Sequence, residues 1–275
     1  MIRTVRLQNI LAGSVLMLGS IVMLIPFIWM ILTAFKTAPE LNQWPPSMWP
    51  QQWNLHNFAE VFSKVEIPLY LRNSLGMALI SAASIVFTST LSGYIFAKFR
   101  FKGKNFLFAL VLATAIVPFE IYMIPLYLQM KELDLINTFQ SLFIPYLIMS
   151  FGIFFMRQNI IQQIPDEIIE SARVEGASEW GIFVRIIVPL CKSPMSALAI
   201  FAYIEAWNAF VWPLLVMGKK TYYTMELGLA MLQSSFGIEL NIISAGAVIS
   251  VLPIFIVFIF LRRYIIESVS MTGLK

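Results

Sequence analysis

The sequence predicts an all-α membrane protein of six transmembrane helices, and three observations carry that prediction. The chain is 59% hydrophobic and 12% charged, with a mean hydropathy of +0.79, whereas a soluble domain is about 45–50% apolar and about 25% charged. A water-soluble core of 275 residues cannot bury that much apolar surface. Six stretches, 10–34, 73–97, 106–130, 136–156, 194–217 and 242–261, are long and apolar enough for spans, given that a crossing helix needs about 20 mostly apolar residues. Finally, an even number of spans puts both termini on one side. With the amino terminus inside, thirteen Lys and Arg fall in inner segments and six in outer ones, which is the bias that orients membrane proteins. The expected organisation is a single transmembrane domain over 1–275 with both termini cytoplasmic.

Taken in order, the first span follows Arg3 and Arg6 and is too long for the apolar core of a signal peptide; no Ala-x-Ala site follows it, so it reads as an uncleaved helix. The outer segment 35–72 carries Trp44-Pro45-Pro46 and Trp49-Pro50, a composition suited to the headgroup layer. It then reads as a helix over Leu55–Val65 with Asn54 as N-cap. The second span contains Ser81-Ala82-Ala83-Ser84, Ser89 and Ser92-Gly93, small residues that allow helices to approach closely. The third span holds Glu120 between Pro118 and Pro125, and the fifth holds Glu205; the other four spans contain no Asp, Glu, Lys or Arg. Pro26, Pro145 and Pro253 are expected to kink their spans.

The inner loop 157–193 is the only long cytoplasmic connection, and it carries five carboxylates. Pro165 is placed to open a helix whose first turn holds Asp166 and Glu167, against the positive end of the dipole. Ile168, Ala172 and Glu175 share one face, and Glu170, Arg173 and Val174 another, with a possible Glu170–Arg173 pair. Gly176 interrupts as a left-handed C′ glycine would. Ser178 can cap a second helix over Glu179–Val188, which Pro189 is expected to stop. The loop therefore reads as two short helices meeting at Gly176.

Glu170-Ser171-Ala172, then Gly176, then Ile186-Ile187-Val188-Pro189 keep the spacing of a frame found in ABC importer permeases: Glu-Ala-Ala, three residues, Gly, nine residues, Ile-x-Leu-Pro. Ser replaces Ala at 171 and Val replaces Leu at 188. The chain resembles that family, and the resemblance implies a type I-like permease fold whose cytoplasmic coupling helix seats in an ATP-binding subunit. The residues it implies for ATPase coupling are Glu170, Ser171, Ala172, Glu175, Gly176, Ala177, Ile186 and Pro189. Further matches make the chain similar to the maltose-type carbohydrate permeases, in particular the smaller, second permease of the pair. They include Asn73-Ser74, Tyr94 to Gly103, Ile124-Pro125-Leu126-Tyr127, Phe151-Gly152-Ile153-Phe154, Trp207-Asn208, Trp212-Pro213-Leu214 and Thr224. The carboxyl-terminal Glu267–Lys275 departs from the Gly-rich tail of such relatives. The partners implied are a second homologous permease, two ATP-binding cassette ATPase subunits, an extracytoplasmic sugar-binding protein and the lipid bilayer of a bacterial or archaeal cytoplasmic membrane.

A carboxylate at a helix centre costs about 2.5–3.5 kcal/mol to insert, so it must face protein or water. Glu205 and Asn208 are three residues apart, on one face of a continuous helix, with Trp212 a turn further on. Such a polar-aromatic stripe suits a sugar pathway, as do Glu120 and Tyr122, and a neutral sugar is favoured beside two carboxylates. Interhelical hydrogen bonding is the competing reading for these residues.

Other chemistry is excluded or has no residues to run it. There is no Gly-x-x-x-x-Gly-Lys-Ser/Thr loop, so ATP is expected to bind a partner and no cofactor this chain. His56 is the only histidine, which leaves no His-based metal site or Ser-His-Asp triad. No basic run interleaved with aromatics suggests nucleic acid. Cys191 is the only cysteine. The reading that competes on function is a stand-alone proton-coupled transporter using Glu120 and Glu205 as relay carboxylates.

Overall fold

Backbone polar groups left bare in hydrocarbon are costly, so apolar stretches of this length fold as helices. The computed structural model describes residues 2–236 and 240–272, and every regular element among them is helical. Three helical stretches, Ala12–Ala34, Ile67–Lys98 and Leu240–Phe260, are long and apolar enough to cross a membrane as they stand. Three further helix pairs meet that standard only together, each bent at a short break. The chain divides into two compact units, Met1–Ile67 with Leu229–Leu252 and Pro68–Gly228 with Pro253–Lys275.

In the first unit α1 (Ile2–Ala34) runs through Pro26 without a break in its helical assignment. α2 (Ala38–Leu41) starts from a capping box in which Glu40 accepts from the Thr37 amide at 2.9 Å and hydroxyl at 3.0 Å. Lys36 is buried, donates to the Ser47 carbonyl and lies 4.5 Å from the centroid of the Trp29 ring. The helix expected over 55–65 is α3 (His56–Lys64), and Asn54 Oδ1 accepts from the His56 amide at 2.9 Å. Buried Asn57 donates to the carbonyls of Ala34 and Lys36, both at 2.8 Å, and accepts from Asn241 Nδ2 at 2.9 Å. That amide fastens α3 to the end of α1.

The second unit holds α4 (Ile67–Lys98), which begins six residues before the expected 73. Its amino-terminal end is a clamp. Asn73 Nδ2 donates to the carbonyls of Thr221 (2.9 Å) and Tyr223 (3.0 Å), and Ser74 Oγ accepts from the Met225 amide at 2.8 Å. The third span is not the single helix expected over 106–130. α5 (Lys104–Ile116) and α6 (Phe119–Glu132) meet at 97°. Pro118 explains the break, because proline disfavours helical geometry at the residue before it, and Val117 is extended at φ −74°, ψ 116°.

α7 (Phe139–Phe143), a 3₁₀ turn at Ile144–Tyr146 containing Pro145, and α8 (Ser150–Gln163) follow, with a 44° bend between the arms. The small residues of the second span do pack closely. A Cβ on Gly152 would sit 2.4 Å from Ser89 Oγ, and one on Gly93 2.8 Å from the Arg157 amide nitrogen. Arg157 Nε donates to the Phe96 carbonyl at 3.0 Å, and Lys104 Nζ to that of Phe99 at 2.8 Å, so cations cap the carbonyl end of α4.

Beyond the inner segment, α12 (Lys192–Trp207) ends ten residues short of the expected span limit at 217. Asn208 caps it through its amide, and α13 (Val211–Val216) begins after a gap. Pro213 lies in the first turn of α13, where an amide proton would have no intrahelical partner anyway. α14 (Met225–Phe236) and α15 (Leu240–Thr272) complete the described chain, with Pro253 inside an unbroken helix. Of the atypical tail, residues 273–275 lie outside the described residues.

Candidate functional site

The inner segment forms the two short helices its sequence dictates. α9 (Asp166–Val174) is entered from Pro165 and carries Asp166 and Glu167 in its first turn. It ends in a Schellman turn: the Ala177 amide donates to the Ala172 carbonyl and the Gly176 amide to that of Arg173, both at 3.0 Å. Gly176 sits at φ +83°, the left-handed region that only glycine enters at no cost. Ala172 and Gly176 of the frame, with Ala177 beside them, are thus one hydrogen-bonded turn. Ser178 Oγ then accepts from the Gly181 amide at 3.1 Å and opens α10 (Glu179–Ile182).

The second helix is longer than expected. A π-helical turn over Phe183–Ile187 leads into α11 (Val188–Leu190), so Pro189 lies inside the helix rather than stopping it at Val188. Proline clashes with the carbonyl four residues back, and the widened turn immediately before it relieves that clash. The stretch Glu179–Leu190 then meets α12 at 80°.

Burial divides the segment. Ile169 and Ala172 are buried, as are Ile182, Phe183 and Ile187 on the second helix. Ile168, placed with Ala172 on one face, is instead exposed. Glu170, Ser171, Glu175, Gly176, Ala177 and Pro189 are exposed, Val174 is 89% exposed, and Ile186 is half-buried. Ser171 Oγ returns to the Glu167 carbonyl at 2.8 Å, which satisfies the hydroxyl that replaces the family's alanine.

The expected Glu170–Arg173 pair gives way to another. Arg173 reaches across the Gly176 turn to Glu179, Nε to Oε1 at 2.7 Å and an Nη to Oε2 at 3.3 Å. A bidentate fork is the stronger geometry for guanidinium and carboxylate. The Arg173 hydrogen bond holds the Glu179 carboxyl below the usual carboxylate range. The pair is therefore complete above that range and is lost only as pH falls through the lowered value. Lys98 does the same for Asp166 by a 2.5 Å hydrogen bond. Lys98, Phe99, Arg100, Asp166, Glu170, Arg173 and Glu179 border a cleft of about 380 Å³. Glu179 escaped sequence reasoning because the pairing depends on the turn angle, although its six-residue separation from Arg173 across a predicted C′ glycine was a usable signal.

The intramembrane candidates come together differently. Glu205 lies on α12 and is exposed, Asn208 caps that helix, and Trp212 belongs to α13, so the three do not form a stripe on one helix. Trp212 is buried and donates Nε1–H to the Ser141 carbonyl at 2.7 Å, which holds α13 against α7. Glu120 falls in the first turn of α6, exposed, with Tyr122 beside it at 44% exposure. Phe119 is the hub of this region: its ring centroid lies 5.2 Å from Tyr122, 6.2 Å from Tyr146 and 5.9 Å from Trp212. Glu205 and Glu120 are both within electrostatic reach of Tyr122, and Glu205 also acts on Tyr146. Phe119 and Tyr146 carried no sequence signal beyond being aromatic.

Residues 89–270 match the family described as binding-protein-dependent transport system inner membrane component. The chain belongs to that family. Among its relatives is the arabinooligosaccharides transport system permease protein AraQ of Halalkalibacterium halodurans, 34% identical over 91% of this chain and 90% of that protein. The lactose transport system permease protein LacG of Rhizobium radiobacter is 31% identical over 96% and 95%. A bacterial ABC transporter involved in the import of the acidic polysaccharide alginate superposes with a TM-score of 0.82 over 94% of this chain and 96% of that one. At 18% identity that likeness concerns the fold alone. As an inner membrane transport component the protein is a multi-pass membrane protein of the permease type, and membership in this family favours a subunit of an assembly over a stand-alone proton-coupled carrier.

Proposed function

We propose that this chain is one of two permease subunits of an ATP-driven carbohydrate importer, and that the helix pair around Gly176 docks on its ATPase. The observation that carries the proposal is the Schellman turn at Ala172–Ala177, exposed from Arg173 onward, in the frame by which permeases of this kind resemble one another. Glu170, Ser171, Glu175 and Ala177 surround that turn and are exposed, available to a partner on the side read as cytoplasmic from the Lys and Arg bias. An extracytoplasmic sugar-binding protein would deliver the substrate, and the second permease would complete the pathway.

Relatives named for arabinooligosaccharides and lactose support a carbohydrate substrate. The aromatic cluster of Phe119, Tyr122 and Tyr146 with Glu120 and Glu205 supports a place for sugar on this subunit, since hydroxyls need acceptors and pyranose faces pack on flat rings.

Substitution of the turn tests the docking claim. A Cβ at Gly176 would meet no heavy atom within 4 Å, so the chief cost of Gly176→Val is backbone strain, about 1–2 kcal/mol for a left-handed residue. Uptake and co-purification of the ATPase should both be lost in Gly176→Val and reduced in Glu170→Ala, with the chain still inserted in the membrane. Undiminished ATPase capture and uptake in both variants would refute the proposal.

A further inference from the structure

The docking segment needs a mechanical route into the membrane, and its covalent route is poorly built for the task. Toward α12 it passes through a π-helical turn, Pro189 and an 80° bend. A wide, bent connection absorbs rotation rather than passing it on.

A second route is polar and runs to α4. At the start of the segment Lys98, the last residue of α4, donates to the Ile164 carbonyl and to Asp166 Oδ1, both at 2.5 Å. Past the Gly176 turn, Glu179 Oε2 accepts from the hydroxyl of Tyr94 at 2.8 Å. Tyr94 lies one turn earlier on α4 and is 2% exposed, so its hydroxyl has little access to any other partner. The same Glu179 is held by both bonds from Arg173. Aromatic rings fill the space beneath: Phe99 lies 5.3 Å from Tyr94 and 5.6 Å from the Arg173 guanidinium, and Phe183 lies 6.1 Å from Tyr94.

Both arms of the segment are therefore fastened to the last two turns of α4, and one carboxylate makes two of the joints. We propose that Glu179 is a positioning residue: with Arg173 it fixes the angle between the two arms, and through Tyr94 it makes α4 the element that carries the segment's motion into the membrane. This rests on the docking claim above. It adds residues outside the frame: Tyr94, buried on α4, and Glu179, which accepts from its hydroxyl. Family resemblance in the 170–189 frame involves neither residue.

The consequence is a separation of docking from transmission. Tyr94→Phe removes the hook to α4 and leaves the Arg173–Glu179 fork in place. Glu179→Gln removes the charge that serves both joints. Neither substitutes a residue of the Ala172–Ala177 turn, and only Glu179→Gln weakens the Arg173 fork that spans it.

Hydrogen–deuterium exchange on the full complex with its ATPase and partner permease, compared without nucleotide and after trapping with ATP and orthovanadate, reads the two steps separately. In the natural complex, both 165–178 and the α4 stretch 84–98 should change their exchange on trapping. In Tyr94→Phe and Glu179→Gln the response of 165–178 should persist while that of 84–98 is lost. A merely structural role would loosen 84–98 equally in both nucleotide states and leave its response intact, which would overturn the inference. So would loss of ATPase capture in either variant, because the residues would then serve docking. Should Tyr94→Phe fail to insert, Glu179→Gln still tests the α4 route through the response of 84–98, with Arg173→Gln as the control that opens the fork and spares the Tyr94 joint. Absence of any response at 165–178 in the natural complex would instead refute the docking claim itself.

Discussion

The inner segment and the aromatic-carboxylate region at the α5–α6 break contrast in how they are held. In the segment, nearly every polar group that matters has a short, named partner: Ala172 with Ala177, Ser178 with Gly181, Arg173 with Glu179, Glu179 with Tyr94 and Lys98 with Asp166. Around Phe119, the rings contact one another, but Glu120 and Glu205 stand exposed. The first is a shape meant to be kept. The second presents acceptors to whatever lies beside it. A region that transmits force must be over-determined by its own contacts, whereas a region that meets a substrate must leave its polar groups available.

The contrast predicts different responses to substitution. Behind the segment, α4 and α8 touch through Gly152, where an added Cβ would lie 2.4 Å from Ser89 Oγ. Gly152→Val should therefore destabilise the protein by about 1–3 kcal/mol as an overpacked contact, read as a lowered melting temperature in detergent; an unchanged melt would mean this contact is looser than it looks. The smaller effect lies at the aromatic region. Glu205→Gln should leave melting and assembly near those of the natural protein and shift the sugar concentration dependence of uptake. An assembly defect with unaltered sugar dependence would instead assign Glu205 to helix–helix hydrogen bonding, and would remove half of the contrast.

The fold class and the helix pair at Gly176 were legible because each depends on local chemistry. Apolar length calls for a helix, Ser178 caps, and a glycine at C′ takes φ +83°. What escaped was set by angles between elements. Pro118 was visible, but its 97° consequence was not, since proline within a span is compatible with a gentle kink as well as a break. The stripe of Glu205, Asn208 and Trp212 assumed an unbroken helix; Asn208 ends it, and Trp212 instead donates to Ser141, a residue 71 positions away. Pro189 was expected to stop a helix that the π turn before it lets continue. The Glu170–Arg173 pair was a good local expectation that a better-placed carboxylate, Glu179, displaced.

The central claim is that the exposed turn near Gly176 faces an ATPase, and one substitution tests it directly. Cys191 is the only cysteine and is buried, while Val174 beside the turn is 89% exposed. A cysteine introduced by Val174→Cys is therefore the one exposed thiol of this chain, open to a short bifunctional crosslinker in the assembled complex. The account predicts a crosslinked product containing this chain and the ATPase subunit, with a yield that changes when ATP is trapped. A thiol that reacts freely with a soluble maleimide in the intact complex, yet never crosslinks to the ATPase, would contradict it.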